Sequence, residues 1–304
     1  MLRRVPALKY ALIALAALLV VAIGVGTYMY FDVSNQLSPP EIDRQAVAAV
    51  LDAPPESNES TDTATYILLL GNDRRENQGW TRSDTIILAR LDAETNSVSM
   101  VSIPRDTRVD VPGYGTTKIN HSSAYGGPAL AIETVKQFTG LPIHHYVEVD
   151  FEGFEQIVDA VGGVRVNVQV PVGSVSAGLQ TLNGEDALAW VRDRHGYASG
   201  DFARMKNQQT FLLALAKQVS KSDNFAKLPS ILNATSKHIK TDMSVPKLMS
   251  MASDYRGLDS STLRTASVPG KTATINGVSY VLADKAATVA MFADLADGGF
   301  DETP

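Results

Sequence analysis

An uncharged stretch from Tyr10 to Phe31, preceded by Arg3, Arg4 and Lys9, constrains this chain more than any other feature. At about 1.5 Å of rise per helical residue, such a run covers a hydrocarbon core of about 30 Å. Tyr28, Tyr30 and Phe31 stand where an interfacial aromatic belt belongs. The cationic flank holds the N-terminus in the cytoplasm, so everything after Asp32 is expected to fold outside it. A cleaved signal peptide fits less well, because the run is long and has no clean Ala-x-Ala site near its end. The expected organisation is a cytoplasmic tail over 1–9, a transmembrane anchor over 10–31, a juxtamembrane segment and linker over 32–63 with a short helix after Pro39-Pro40, and an extracytoplasmic domain over 64–304.

The exported part is acidic. With Arg3, Arg4 and Lys9 set aside, the 27 basic residues fall to 24 against 33 acidic ones. Such a balance argues against a nucleic-acid surface, which would read basic. The chain has no cysteine, which excludes disulfides, thiolate metal sites and a cysteine nucleophile. Its arginines nevertheless gather into short motifs, the pattern of a local anion pocket rather than a broad basic face.

Hydrophobic patterning predicts strands at Tyr66–Leu70, Thr85–Leu91 and Val98–Ile103, with a hairpin turn over Asp92–Asn96 between the last two. A helix is expected over Pro128–Phe138, a strand over Tyr146–Val149, a helix from Phe151 to Val161 and a strand over Val164–Val170. Further helices are read near Asp186–Val191, Asp201–Val219, Phe225–Ile239, Val245–Tyr255 and Lys285–Leu295. Strands at Leu263–Val268 and Val278–Leu282 precede the last of these. Strands interleaved with helices point to the α/β class, an α-β-α sandwich around a central mixed sheet.

The chemistry-bearing residues follow strand ends. Asp73 lies just past the first strand and Asp84 just before the second, so two carboxylates can meet at one sheet edge and hold a divalent cation. Arg105 and Asp106 follow the third strand, and Lys118-Ile119-Asn120 adds a point cation and an amide. Arg192 and Arg194, two apart, leave one face of an extended segment. Asp201, Arg204 and Gln208 share one helix face. Guanidinium forks grip phosphate oxygens in pairs, so this set suits phosphoryl transfer on a pyrophosphate. His144-His145 has no metal-ligand partners at useful spacing. No Walker loop, Gly-x-Ser-x-Gly elbow or His-Glu-x-x-His occurs.

The order of blocks resembles the LytR-CpsA-Psr family of bacterial envelope phosphotransferases. The likeness runs through Leu69-Leu70-Gly71-Asn72-Asp73-Arg74-Arg75, Arg82-Ser83-Asp84-Thr85, Ser102-Ile103-Pro104-Arg105-Asp106-Thr107 and Lys118-Ile119-Asn120. It continues through Val161-Gly162-Gly163-Val164, Leu182-Asn183-Gly184-Glu185, Val191-Arg192-Asp193-Arg194, Gly200-Asp201, Arg204 and Gln208-Gln209. Asn207 departs from the pattern, which commonly has arginine there. The resemblance implies a membrane-anchored transferase that moves an anionic glycopolymer, teichoic acid-like or capsular, from polyprenyl pyrophosphate to a peptidoglycan hydroxyl. It implies Mg2+, or Mn2+ in its place, on Asp73 and Asp84. Arg75, Arg82, Arg105, Arg192, Arg194, Arg204 and Gln208, with Lys118, would surround the pyrophosphate. Arg105, Asp84 and Asp106 would act in catalysis, either carboxylate serving as proton acceptor. The helices Ala131–Phe138 and Phe151–Val161 are the expected walls of a lipid-tail pocket. The competing readings are a non-catalytic polymer-binding module and a membrane-bound transcriptional attenuator.

Overall fold

The computed structural model describes residues 30–55, 64–73, 79, 81–193, 201–219, 222–255 and 262–298, without the side chains at 201–203 and 222–226. Most of the expected anchor, together with Arg75 and Arg194, lies outside that set. Among the described residues no helix is long and apolar enough to cross a membrane.

Helix α1 (residues 30–37) leads into α2 (Glu41–Val50). Strands β1 (Thr65–Asn72), β2 (Ser83–Asp92) and β3 (Ser97–Ser102) follow as an antiparallel meander. The β2–β3 turn forms where expected. The Asp92 carboxylate accepts from the amides of Glu94 and Thr95 at 3.0 and 3.1 Å, and Asn96 takes the left-handed conformation with φ 48°. A hairpin of β4 (Arg108–Val111) and β5 (Gly115–Lys118) comes next, then α3 (His121–Thr139). The hairpin is too short and polar to show in hydrophobic periodicity. In α3 the helical path breaks at Gly126 and Gly127, the latter at φ 63° and ψ −157°, a conformation open to glycine. A first turn carrying His121 and Tyr125 is thus set apart from the regular helix that begins at Pro128.

Strand β6 (His145–Asp150) pairs parallel to β1, and α4 (Phe151–Ala160) leaves it at once, capped by the Asp150 carboxylate on the Gly153 amide at 2.8 Å. The hairpin of β7 (Val164–Val168) and β8 (Gly178–Leu182) leads to α5 (Gly184–Arg192), α6 (Asp201–Val219) and α7 (Ser222–Thr235). The chain closes through β9 (Ile239–Thr241), α8 (Val245–Asp254), β10 (Leu263–Ser267), the hairpin β11 (Gly270–Ile275) and β12 (Val278–Ala283), and α9 (Lys285–Ala296). The central sheet has the order β10-β3-β2-β1-β6-β9 and is mixed, as expected.

Alternation along the strands sorts the two faces. Tyr66, Leu68, Leu70, Ile86, Leu88 and Val101 join Ile132 and Val135 of α3 and Phe292 of α9 in the main core. On the opposite face Ile87, Ala89 and Met100 pack with Leu212 and Leu213 of α6. Gln209 of α6 is buried and donates to Ser102 Oγ at 2.9 Å and to the Ala266 carbonyl at 2.6 Å, which fastens that helix to β3 and β10.

The packed body reaches upstream of Ala64. Val47 of α2 is buried in the main core, and Asp52 accepts from Lys136 Nζ and from the Ile143 amide, both at 2.9 Å. Val33 and Leu37 of α1 cluster with Ile239, Val147, Val149 and Ile157. The stretch 32–63, expected as juxtamembrane segment and linker, therefore contains two helices held on the fold by apolar contact.

Candidate functional site

Two register rows cross three strands on the α6 side of the sheet. Ile87, Leu69 and Val147 form one, and Thr85, Gly71 and Val149 the other. Gly71 carries no side chain in the middle of the second row, and a Cβ there would stand 3.0 Å from Thr85 Cβ. These rows floor a cavity of about 450 Å³ walled by Phe151, Phe154 and Ile157 of α4, Leu188 and Val191 of α5, and Phe211, Leu212 and Leu215 of α6. The expected wall of α4 is present. The other expected wall, Ala131–Phe138, is not: Ala131, Ile132 and Val135 are spent in the core on the opposite face of the sheet. The roof comes from α5 and α6, whose apolar residues no local motif ties to a pocket.

Polar groups complete the same cavity: Asp84, Asp150, Arg192, Asp193, Arg204 and Gln208. Arg204 is 3% exposed and lines the cavity. Gln208, one turn on, donates to the Val191 carbonyl at 3.3 Å. The shared face read for Arg204 and Gln208 thus points into the cavity; the side chain of Asp201 lies outside the described set. Arg192 is the last residue of α5, not part of an extended segment, and its guanidinium lies 4.1 Å from the centroid of the Phe151 ring. Helix α5 begins earlier than expected because the Asn183 side chain caps its start at the Asp186 amide, 2.8 Å away; it runs one residue past the expected end, and Trp190 and Val191 lie in the core.

Asp84 sits on a register shift between β1 and β2, where Gly71 pairs with Thr85 but Asn72 with Ser83. Asp73 follows Asn72 at the end of β1, and Asp84 lies near the facing start of β2. Asp84 accepts from Arg105 Nη1 at 2.5 Å; Arg105 Nε is 3.9 Å from Asp106, which Lys118 meets at 2.9 Å. Asp84, Arg105, Asp106 and Lys118 form one chain of alternating charge running away from the cavity, because Asp84 lines it and the other three do not. Arg82 is exposed. Burial, and then the positive fields of Arg82 and Lys118, hold His121 below the usual imidazole range.

Among the described residues no group of three or more His, Cys, Asp or Glu side chains gathers as a metal cage. Mg2+ retains water and is commonly held by one or two carboxylates together with substrate phosphates, so Asp73 and Asp84 fit that donor set. His144 and His145 are structural. His144 Nδ1 accepts from the Tyr66 amide at 2.9 Å, and His145 Nδ1 lies 2.6 Å from Asp242.

The sequence profile of the LytR_cpsA_psr family matches residues 29–297. TagU of Halalkalibacterium halodurans, a polyisoprenyl-teichoic acid–peptidoglycan teichoic acid transferase, is 33% identical over 297 residues, covering 90% of this chain and 93% of that protein. TagU of Bacillus subtilis is 33% identical over 226 residues, 73% of each chain. Among solved structures, B. subtilis TagV superposes with a TM-score of 0.68 at 32% identity, over 79% of this chain and 98% of that one. TagT bound to LIIa-WTA gives a TM-score of 0.68 at 25% identity, over 80% and 93%. With the ordered motifs, the fold and a profile match over nearly the whole described length in agreement, this chain belongs to the LytR_cpsA_psr family.

Proposed function

We propose that this protein transfers an anionic glycopolymer, teichoic acid-like or capsular, from a polyprenyl pyrophosphate carrier to a hydroxyl of peptidoglycan. The observation that carries the reading is a cavity apolar along its length and lined at its polar part by Arg192, Arg204, Gln208 and Asp84. A lipid tail with a charged head requires that combination: apolar burial of the tail stabilises by about 0.8 kcal/mol per methylene, while arginine forks match phosphate oxygens. The run Tyr10–Phe31 would anchor the domain beside the bilayer that supplies the lipid.

In the proposed reaction the acceptor hydroxyl oxygen bonds to the sugar-proximal phosphorus, and the bond from that phosphorus to the bridging oxygen breaks. The polyprenyl group departs as its monophosphate, and the hydroxyl proton passes to Asp84 or Asp106. Arg204 and Arg192 stabilise the charge that builds on the departing lipid phosphate, and Arg105 the charge on the transferred phosphoryl oxygens. Asp73 and Asp84 would hold a magnesium ion, which supplies further positive charge to the pyrophosphate oxygens. Arg75, Arg82 and Arg194 would complete the cationic surround.

The test is transfer by the full-length protein in vesicles, using defined polyprenyl-pyrophosphate glycans and peptidoglycan oligomers, with and without Mg2+. A phosphodiester-linked glycan on the oligomer is expected. Donor binding with no transfer under any divalent ion would make this a binding module, and release of glycan phosphate to water would make it a pyrophosphatase.

A further inference from the structure

Tyr114, at the tip of the β4–β5 hairpin, and Tyr125, in the first turn of α3, stack at 4.6 Å between ring centroids with 22° between planes. They remain 56% and 44% exposed, among the most exposed large hydrophobic side chains described. The pair is fixed from several sides. Tyr114 Oη donates to the Tyr125 carbonyl at 3.3 Å, the Tyr125 hydroxyl lies 3.3 Å from His121 Nδ1, and Thr117 Oγ1 lies 2.8 Å from the same nitrogen. The His121 ring adds a third plane, 5.6 Å from Tyr125. A rigid, water-facing group of aromatic rings with hydroxyls at its rim is suited to the apolar face of a sugar ring and its equatorial hydroxyls.

Its position says which sugar. Backbone and side-chain contacts join the platform to the charged chain: Ile119 N donates to Thr107 O at 2.8 Å, Asn120 N to Arg105 O at 3.2 Å, and Ser123 Oγ lies 2.8 Å from Ser83 Oγ, next to Asp84. None of Tyr114, Tyr125 and His121 lines the apolar cavity. The sequence cavity, Asp84, Arg105, Asp106, Lys118, platform therefore runs from one side of the phosphoryl centre to the other. In-line displacement needs the attacking and leaving oxygens on opposite sides of phosphorus. With the lipid phosphate leaving toward the cavity, the nucleophile must arrive from the platform side.

We propose that Tyr114, Tyr125 and His121 form the acceptor subsite, stacking a pyranose of the peptidoglycan glycan strand so that its hydroxyl reaches the phosphorus held at Arg105. This rests on the transferase reading above. The experiment uses full-length protein in detergent micelles and a soluble N-acetylated peptidoglycan glycan oligomer. Saturation-transfer NMR reads glycan contact with tyrosine ring protons without turnover, and transfer kinetics read the acceptor KM. Tyr114→Ala and Tyr125→Ala should each raise the acceptor KM by up to about tenfold, the scale of one lost ring contact. Donor affinity, measured without acceptor, should hold, and Tyr114→Phe and Tyr125→Phe, which keep the rings, should restore most of the loss. An unchanged acceptor KM with intact transfer would overturn the subsite. A rise confined to donor KM would also overturn it, assigning the platform to the carried polymer. Ring-to-glycan saturation transfer in a protein that performs no transfer would refute the transferase reading while leaving the glycan contact standing.

Discussion

Replacing Arg105 with alanine separates catalysis from stability. Its side chain is 18% exposed and bridges two carboxylates, at 2.5 Å from Asp84 and 3.9 Å from Asp106. Truncation leaves both acids, but neither is sealed from water: their side chains are 30% and 23% exposed, and Lys118 stays 2.9 Å from Asp106. The folding cost should thus fall to about 1–2 kcal/mol, below the 3–5 typical of a fully buried pair that loses one partner. For a domain of this size that is a Tm decrease of about 2–8 °C. The kinetic cost should be larger, about 10²–10³ in turnover, because a donor aimed at developing charge is removed. Arg105→Lys keeps the charge without the fork and should fall between. Thermal unfolding followed by circular dichroism, and single-turnover transfer from lipid-linked donor at a temperature where both proteins are folded, give the two numbers. Turnover near wild type in Arg105→Ala, with the Tm inside the stated window, would refute the placement of the phosphoryl group at this arginine.

The other expectations concern the cavity, the helix packing behind it and acid stability. Val149→Trp projects a ring from the cavity floor; excluding even two tail methylenes should raise donor KM about tenfold, and less for a donor with a shortened lipid. Equal effects on long and short tails would count against a lipid in this cavity. Gly184→Ala places a Cβ 2.5 Å from the Glu155 carbonyl oxygen, and should cost about 1–3 kcal/mol in urea unfolding because helices α4 and α5 must separate. At Asp52, burial pushes the carboxyl up, but the Lys136 hydrogen bond and charge and the Ile143 amide outweigh it and hold it below its ordinary range. Its contribution is therefore complete above the ordinary pKa of 3.8 and disappears as pH falls through the lower native value. Lys136→Met should reduce stability at neutral pH by up to about 1 kcal/mol, the range of a partly exposed pair, and flatten the acid slope of the urea midpoint; an unchanged slope refutes the assignment.

What the sequence discloses follows from how local the physics is. The strands Tyr66–Leu70 and Thr85–Leu91 are legible because each carries its own apolar run, and the Asp92–Asn96 turn because one carboxylate and one asparagine settle it. The β4–β5 hairpin is hidden, since its strands are four residues long and β5, Gly115–Lys118, has no buried side chain. The short helix α2 after Pro39-Pro40 is legible, but nothing local says that it docks on the domain. What holds it is Val47 against a core assembled from residues far along the chain.

The charged half of the candidate site is legible for the same reason and the apolar half is not. Asp84, Arg105, Asp106, Arg192 and Arg204 stand at element ends, within short blocks that can be read one at a time. The cavity has no such block. Its floor depends on Gly71 meeting Thr85 and Val149 across two different strand pairings, one antiparallel and one parallel. Its walls use Phe154, Leu188 and Leu215, which in isolation look like ordinary helix-core residues. Register, not composition, turns them into a pocket. A one-residue slip of β6 against β1 would replace Val147 and Val149 in the floor with Tyr146 and Glu148. Tyr146 is fully buried on the other face, and Glu148 receives a short hydrogen bond from Asn72, so both would have to be torn from their partners. The packing of the opposite core thereby sets the shape of the cavity, and the residues proposed to hold the lipid tail are fixed by residues on the other face of the sheet.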